Sequence, residues 1–438
     1  MSSEWKRLTL KEAGVVLIDC DHRTPPAVDE GYPYIAIPQL KNGHITLDGV
    51  RRISHADYIE WTKKLKPQAN DVIVVRRCNS GDSAHVPAGL DCAIGQNLVV
   101  LRACGENVLP SFLRWLLRGP EWWEQVSKFI NVGAVFDSLR CRDIPNFELT
   151  IPPLKHQAEI ASFLGAIDDR ITLLRETNAT LEAIALALFK SWFVDFDPVR
   201  AKAEGRQPEG MDAATAALFP DSFKESELGL VPKGWEIKPI GDAVDCVGGG
   251  TPTTKEPAFW EPGEFAWSTP KDLSGLGSPV LLQTERMLSR LGLEKVSSGL
   301  LPAGTLLLSS RAPIGYLAIA KIPLAVNQGY IAMLPGGKLS PLYLYFWCQQ
   351  NMDGIKGRAN GSTFMEISKK AFRPIPALVP PLDVLSRFSE TVEPIFERIT
   401  ENEHQAQTLT HLRDTLLPRL ISGQLRLPEA EALVEETL

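Results

Sequence analysis

Several classes of protein are excluded by what this sequence lacks. Its seven cysteines (Cys20, Cys78, Cys92, Cys104, Cys141, Cys246 and Cys348) are odd in number, scattered, and never spaced C-x-x-C. That argues against a disulfide framework and against a zinc ribbon, and no metal site is expected. The opening MSSEWKRLTL has no apolar core of the kind a signal peptide carries. No apolar run approaches the ~18 residues that a membrane span needs. A reduced, cytoplasmic protein is the expectation.

Catalytic signatures are missing too. There is no F-x-G-x-G or N-P-P-[YF], as a methyltransferase would carry, and no H-E-x-x-H. The run Gly248-Gly249-Gly250-Thr251-Pro252 lacks the Lys of a phosphate-binding loop and has no helical sequel. Asp168-Asp169 could pass for a catalytic carboxylate pair, but heptad spacing puts them on the polar face of a helix, where solvated charges are expected. The chain is expected to catalyse nothing alone.

What is present is a repeat. The segment IPPLKHQAEIASFLGAIDDRI (151–171) matches VPPLDVLSRFSETVEPIFERI (379–399) at an offset of 228, which also pairs Gly133 with Gly361 and Phe136 with Phe364. Upstream the offset drifts. Trp5 answers Trp235, Thr24-Pro25 answers Thr251-Pro252, KPQANDVIVVRR (66–77) answers LPAGTLLLSSR (301–311), and GQNLVVL (95–101) answers NQGYIAM (327–333). With 438 residues, two to four domains are expected at roughly 100–200 residues each. The layout reads as a globular region (1–150), a helical segment (151–196), a linker rich in Pro, Gly and charge (197–229), a second globular region (230–377), a second helical segment (378–425) and a tail (426–438). Short β-rich runs, with helices after Pro110 and Pro341, make the globular regions α+β.

The helical segments carry the strongest periodicity. Ile160, Ile167, Leu174, Leu181 and Leu188 form one heptad series; Leu164, Ile171, Asn178, Ala185 and Trp192 form its companion. In the second half the series are Phe388, Ile395, Asn402, Leu409, Leu416 and Leu385, Val392, Ile399, Ala406, Arg413, Leu420. These are coiled-coil seams. A straight helix over the first would run ~60 Å. Each seam holds one central Asn. Parallel pairing at the repeat offset would bury both amides unpaired, whereas antiparallel pairing sets Asn178 against Asn402 as a register-fixing pair. An antiparallel intrachain coiled coil is therefore expected. Pro394 is expected to kink or break the second helix, and Arg413, opposite Ile167, to snorkel.

The net charge of −7 is unevenly spread. Residues 1–150 are neutral and 224–375 carry +3, while 151–223 carry −4 and 376–438 carry −6. The globular regions are thus free to present basic faces. Side chains of the types that contact bases and phosphates fall at equivalent places in both. They are Arg51, Arg52, Lys63, Lys64, Arg76, Arg77, Asn79 and Ser80 in the first, and Lys271, Ser309, Ser310, Arg311, Arg358, Asn360, Ser362 and Thr363 in the second. The loop after the Val/Leu-rich strand is the foremost candidate in each, since a rigid strand can aim a loop.

Several segments carry a family resemblance. LFKSWFVDFDPVRAKAEG (188–205), VPKGWEIKPIGDAV, LPAGTLLLSSRAPIG, GSTFMEI with the Pro-Pro-Leu that follows, and LLPRLISGQLRLPEAE are similar to the specificity subunits of type I restriction–modification systems. VVRRCNSGD in the first region departs from the SSRAPIG pattern, as expected if the two regions read different sequences. The resemblance implies two target-recognition domains reading a bipartite asymmetric DNA site, with the helices as spacers that dock two methyltransferase subunits. It also implies restriction subunits that translocate and cut DNA. S-adenosylmethionine, ATP and magnesium would belong to those partners. The competing expectation is a coiled-coil DNA-binding or scaffold protein that reads no sequence.

Overall fold

The computed structural model describes residues 5–132, 136–361 and 365–437, and divides into two units. One comprises residues 1–171 with 408–438, the other residues 172–407. Each contains a globular region together with parts of two 40-residue helices, Leu154–Phe193 and Leu382–Ile421.

Each globular region begins and ends on one strand pair. Lys6–Thr9 runs antiparallel to Glu148–Ile151, and Glu236–Pro239 to Pro376–Val379. The chain therefore leaves each region beside the point where it came in, and the Pro-Pro pair that follows opens a long helix. Proline suits that place because the first helical N–H groups lack intrahelical acceptors anyway. At the first helix start, buried Gln157 accepts from the Leu109 N–H at 2.8 Å and donates to the Pro152 carbonyl at 2.7 Å, tying helix to region.

Inside the first region, an antiparallel sheet has the order Val15–Asp19, Leu98–Ala103, Val72–Val75, Ser83–His85. A second sheet has the order Arg51–Ile53, Tyr32–Ile35, Ala93–Ile94, its last pair parallel. The second region repeats this plan. Its larger sheet runs Cys246–Val247, Tyr330–Met333, Leu306–Ser309, Leu317–Ala320, Val280–Leu281. Its smaller sheet runs Arg286–Leu288, Phe265–Ser268, Leu324–Val326, again with a parallel last pair. The strands Val72–Val75 and Leu306–Ser309 are buried along their whole length, which explains their unbroken apolar runs.

The two long helices pack antiparallel. In the second unit Asn402 Nδ2 donates to Asn178 Oδ1 at 2.9 Å, and Asn178 Nδ2 to the Ile399 carbonyl at 3.2 Å. Both residues are buried. Trp192 meets Phe388 at a ring separation of 5.9 Å, within an aromatic cluster that also holds Phe189, Phe193, Trp235 and Tyr343. The 197–229 stretch, read as a linker, forms helices Asp197–Ala203 and Ala213–Ala217 and the hairpin of Phe223–Ser226 with Gly229–Pro232. Val199 and Phe219, with Val231 just after it, seat it on that cluster. The 426–438 segment, read as a tail, carries the helix Leu427–Thr437, whose Ala430 is buried in the core of the first unit.

Three expectations are corrected. Leu382–Ile421 passes through Pro394 without a break. Pro394 is exposed, and its neighbours Val392 and Phe396 are anchored in the core, so tertiary packing outweighs one missing hydrogen bond on the wet face. Arg413 does not snorkel; it is 4% exposed, and its Nη1 lies 2.6 Å from Asp168 Oδ1. Asp168 is therefore no solvated face residue, although Asp169 is exposed. His44 Nε2 and Arg114 Nη1 approach the other Asp168 oxygen at 3.1 and 3.3 Å. Burial pushes the Asp168 carboxyl up, but the His44 contact and the Arg413 charge outweigh it and hold the group well below the usual carboxylate range. Beside it, His85 Nδ1 faces the Gly43 carbonyl at 3.1 Å, and Arg114 Nη1 lies 3.1 Å from Nε2. Burial and that guanidinium push the His85 pKa down to about 4.

Asn178→Leu strands the Asn402 amide and is expected to cost about 1–3 kcal/mol, most of it recovered in Asn178→Leu/Asn402→Leu, where neither amide remains. Urea denaturation midpoints of the three proteins test this; equal losses in single and double variants would contradict it. Asp168→Asn leaves Arg413 and Arg114 without a buried counter-charge and is expected to cost about 3–5 kcal/mol. The wild-type carboxylate's contribution is complete above its unfolded pKa of ~3.9 and is lost as pH falls toward the depressed folded value. His85 acts earlier. Its unfolded form takes up a proton first, so stability falls between about 6.5 and about 4. His85→Gln should flatten the unfolding midpoint across that window.

Candidate nucleic-acid interface

In both regions the fully buried strand delivers a tight loop. After Val72–Val75 the chain turns through Arg76–Asp82, closed by Gly81 N–H to the Val75 carbonyl (2.9 Å) and Val75 N–H to the Asp82 carbonyl (2.8 Å). Cys78 and Asn79 adopt left-handed backbone, with φ of 59° and 68°. After Leu306–Ser309, Gly315 N–H reaches the Ser309 carbonyl (3.1 Å) and Ser309 N–H the Tyr316 carbonyl (2.9 Å).

A second segment seals each loop, 228 residues apart in the two halves. Leu139 N–H donates to the Arg76 carbonyl at 2.9 Å, and Arg77 bridges to Ser138. Ile367 N–H donates to the Ser310 carbonyl at 3.0 Å, and Arg311 bridges to Glu366. The structure thus brings Arg76, Arg77, Asn79 and Ser80 together with 137–139, and Ser309, Ser310 and Arg311 with Asn360 and 366–367. Asn360 exchanges backbone hydrogen bonds with Glu366, both at 3.0 Å.

Not every candidate offers a free surface group. Ser80 is 4% exposed, and its hydroxyl donates to the Arg76 carbonyl at 2.9 Å. Ser309 and Ser310 are 0% and 2% exposed. Ser309 Oγ donates to the Pro313 carbonyl (2.8 Å) and accepts from the Gly315 and Tyr316 N–H groups (3.1 and 2.8 Å). Ser80 and Ser309 shape the loops from inside, because a turn closing on its own strand needs an internal partner for each buried backbone group. Arg77, Asn79, Arg358 and Asn360 are exposed, while Arg76 and Arg311 are half-buried. Arg76 Nε is buried and has no hydrogen-bond partner among the described residues. Arg311 lies 3.8 Å from Glu366.

The remaining candidates are dispersed. Arg51 and Arg52 sit on the edge strand Arg51–Ile53 and donate to the Pro25 and Gly31 carbonyls at 3.1 and 2.8 Å. Lys63 pairs with Glu60 at the end of the helix His55–Thr62. Lys64 reaches the Cys20 carbonyl at 3.4 Å. Lys271 is paired with Glu285 at 2.8 Å. Ser362 and Thr363 lie outside the described residues. Sequence reasoning passed over Gln39, Gln96 and Asn97, which with Thr24, Tyr34 and Arg51 line a depression of about 500 Å3. Gln96 had surfaced only as a repeat marker in GQNLVVL.

Asp19, Cys20 and His22 could bring three ligand atoms within 4.8 Å of one another. The Cys20 thiol, however, donates to the Gly95 carbonyl at 3.1 Å, and burial pushes its pKa up to about 11. A thiol held protonated is a poor metal ligand.

The family model for the type I restriction modification DNA specificity domain matches twice, over residues 3–183 and 232–410. This chain belongs to that family. The type I restriction enzyme HindI specificity subunit of Haemophilus influenzae is 29% identical over 374 residues, covering 76% of this chain and 81% of that protein. The MjaIX specificity subunit of Methanocaldococcus jannaschii is 36% identical over 183 residues, 41% of this chain and 42% of that one. A solved structure of a type I restriction–modification S subunit from M. genitalium shares the fold at a TM-score of 0.54 and 17% identity, covering 96% of this chain and 97% of that one. Each of the two specificity-domain matches takes in one globular region and part of the long helix after it. Among the described residues no helix is long and apolar enough to cross a membrane.

Within this specificity-domain frame, loop scaffold and loop surface separate by stability. Ser309→Ala removes a hydroxyl that makes three hydrogen bonds within the second loop and is expected to cost about 1–3 kcal/mol. Arg311→Ala, at the half-buried rim, is expected to stay within about 0.5 kcal/mol of wild type. Denaturant unfolding of both variants checks the contrast; equal losses would mean that Arg311 is part of the scaffold.

Proposed function

We propose that this chain is the DNA-reading specificity subunit of a type I restriction–modification complex. In this reading each globular region is a target-recognition domain that takes one half of a bipartite, asymmetric site in double-stranded DNA. The observation that carries it is the doubled specificity domain, in which one scaffold presents two loops of different sequence, RRCNSGD and SRAPIG. Exposed guanidinium and amide groups on and around those loops suit base edges, and the scattered lysines suit phosphates. Arg76, Arg77, Asn79, Arg311, Arg358 and Asn360 are the loop contacts we assign; Arg51, Arg52, Lys63, Lys64 and Lys271 are assigned to the surrounding surface.

The chain itself performs no chemistry in this reading. Two methyltransferase subunits dock on the helices, bind S-adenosylmethionine, flip the target adenine out of the duplex and methylate it. Restriction subunits add ATP- and magnesium-dependent translocation and cleavage.

Co-expression with a cognate methyltransferase subunit, followed by mapping of methylated adenines, should return a two-part motif with a fixed gap. Replacing residues 1–150 with the corresponding domain of a relative should change one part only. A consensus without two separated parts would overturn the assignment, and methyl transfer by the purified chain alone would overturn its non-catalytic character.

A further inference from the structure

The two globular regions differ in their loops yet share one constellation on their smaller sheets. Tyr34 donates its hydroxyl to the Arg23 carbonyl at 3.1 Å; Trp267 donates Nε1 to the Gly250 carbonyl at 3.1 Å. Each of those carbonyls precedes a Thr-Pro pair, Thr24-Pro25 or Thr251-Pro252. In both pairs the proline is buried and the threonine exposed. Gln96 Nε2 donates to Thr24 Oγ1 at 3.0 Å, and Thr251 Oγ1 donates to Gln328 Oε1 at 2.6 Å. Both glutamines are exposed, and each lies two residues beyond the strand that pairs in parallel with the aromatic residue's strand. On the aromatic strand's other side, Arg51 is the register partner of Tyr34, and Arg286 of Trp267. Arg51 Nη1 is held by the Pro25 carbonyl at 3.1 Å. Arg286 lies 3.5 Å from the centre of the Trp260 ring and 5.4 Å from that of Trp267.

Folding does not require this match. A hydrogen bond between two exposed side chains adds little stability, and the strands pair through their backbones without it. What the constellation does supply is a guanidinium, a hydroxyl and an amide: in the first region the three line one depression, in the second Arg286 lies across the Trp267 strand from the strand that leads to Gln328, and each amide has capacity for further partners beyond its one threonine bond. Those are groups that hold phosphate oxygens. Contacts indifferent to bases are ones that two domains reading different sequences can share.

We infer that Thr24, Arg51 and Gln96 in the first region, and Thr251, Arg286 and Gln328 in the second, form a repeated clamp for the DNA sugar–phosphate backbone. The clamp sets each domain's position on the duplex, while the loops after Val75 and Ser309 read the bases. This rests on the chain being a DNA specificity subunit.

The test uses the full chain in complex with its methyltransferase subunits. Binding is measured by fluorescence anisotropy over a salt series, to a duplex carrying the methylated motif and to a scrambled duplex of equal length. Gln96→Glu and Gln328→Glu keep the side-chain shape and leave a carboxylate able to accept from the threonine hydroxyl, so the local fold is retained. Each should weaken binding to both duplexes alike, by roughly tenfold or more, with the methylated motif unchanged. Arg51→Gln and Arg286→Gln should each lower the slope of log affinity against log salt by ~0.9. A changed base in one half of the motif would overturn the clamp in favour of base reading, and unchanged affinity in all four variants would reduce it to a structural feature. A wild-type complex that bound both duplexes equally would instead remove the sequence-reading function. Uniform loss in the variants would still support phosphate contact in that case.

Discussion

A polar group buried in a helix seam must meet a partner, and that constraint fixes how the two long helices of this chain pair. Asn178 and Asn402 are each 2% exposed. Leaving either amide unpaired there would forfeit more free energy than a typical hydrogen bond returns. Antiparallel packing satisfies both amides at once, one through the other and one through the Ile399 carbonyl. Shifting the register by a heptad would set each Asn against an aliphatic residue. The pair thus specifies direction and register more than it adds stability, the role best attested for a lone buried Asn in a coiled coil.

The same constraint, with charge in place of amides, operates in the first unit. Asp168 and Arg413 are both buried, and such a pair is stable only if its remaining hydrogen-bonding positions are filled. His44 and Arg114 come from the globular region to the second Asp168 oxygen, at 3.1 and 3.3 Å. The helix seam and the domain packed on it are thereby locked through one carboxylate. Asp168, one of the two carboxylates that could pass for a catalytic pair in the sequence, serves here as a counter-ion.

The helix pair and its direction were legible because heptads and a central Asn are local patterns that encode their own partners. The paired α+β regions were legible from the 228-residue offset, which survives in the loop-sealing contacts at Leu139 and Ile367. The environment of Asp168 was not legible, since heptad position describes one helix while His44 and Arg114 arrive from distant sequence. The burial of Ser309 and Ser310 escaped for a related reason. A Ser-Ser-Arg run reads as a polar surface until the closure of the turn is known. The Thr–Gln–Arg constellation was hidden by drift in the repeat, from 227 residues at Thr24/Thr251 to 235 at Arg51/Arg286, so no single offset superimposes it.

That drift separates what must be kept from what is free to change. Insertions between strands move residues along the sequence but leave the smaller sheet's register intact, with Tyr34 opposite Arg51 and Trp267 opposite Arg286. The loops after the buried strands carry no such matched side-chain set; there the common part is backbone closure, and the side chains diverge. Phosphate contacts contribute affinity that is equal for every sequence, and specificity is the difference that base contacts add. Where these two tasks fall to different elements, as we infer, one can be altered without disturbing the other. Holding the loop closure in backbone hydrogen bonds and in inward-facing serines leaves the outward side chains free to vary at little cost in stability, so one scaffold used twice in a chain can present two different outer surfaces.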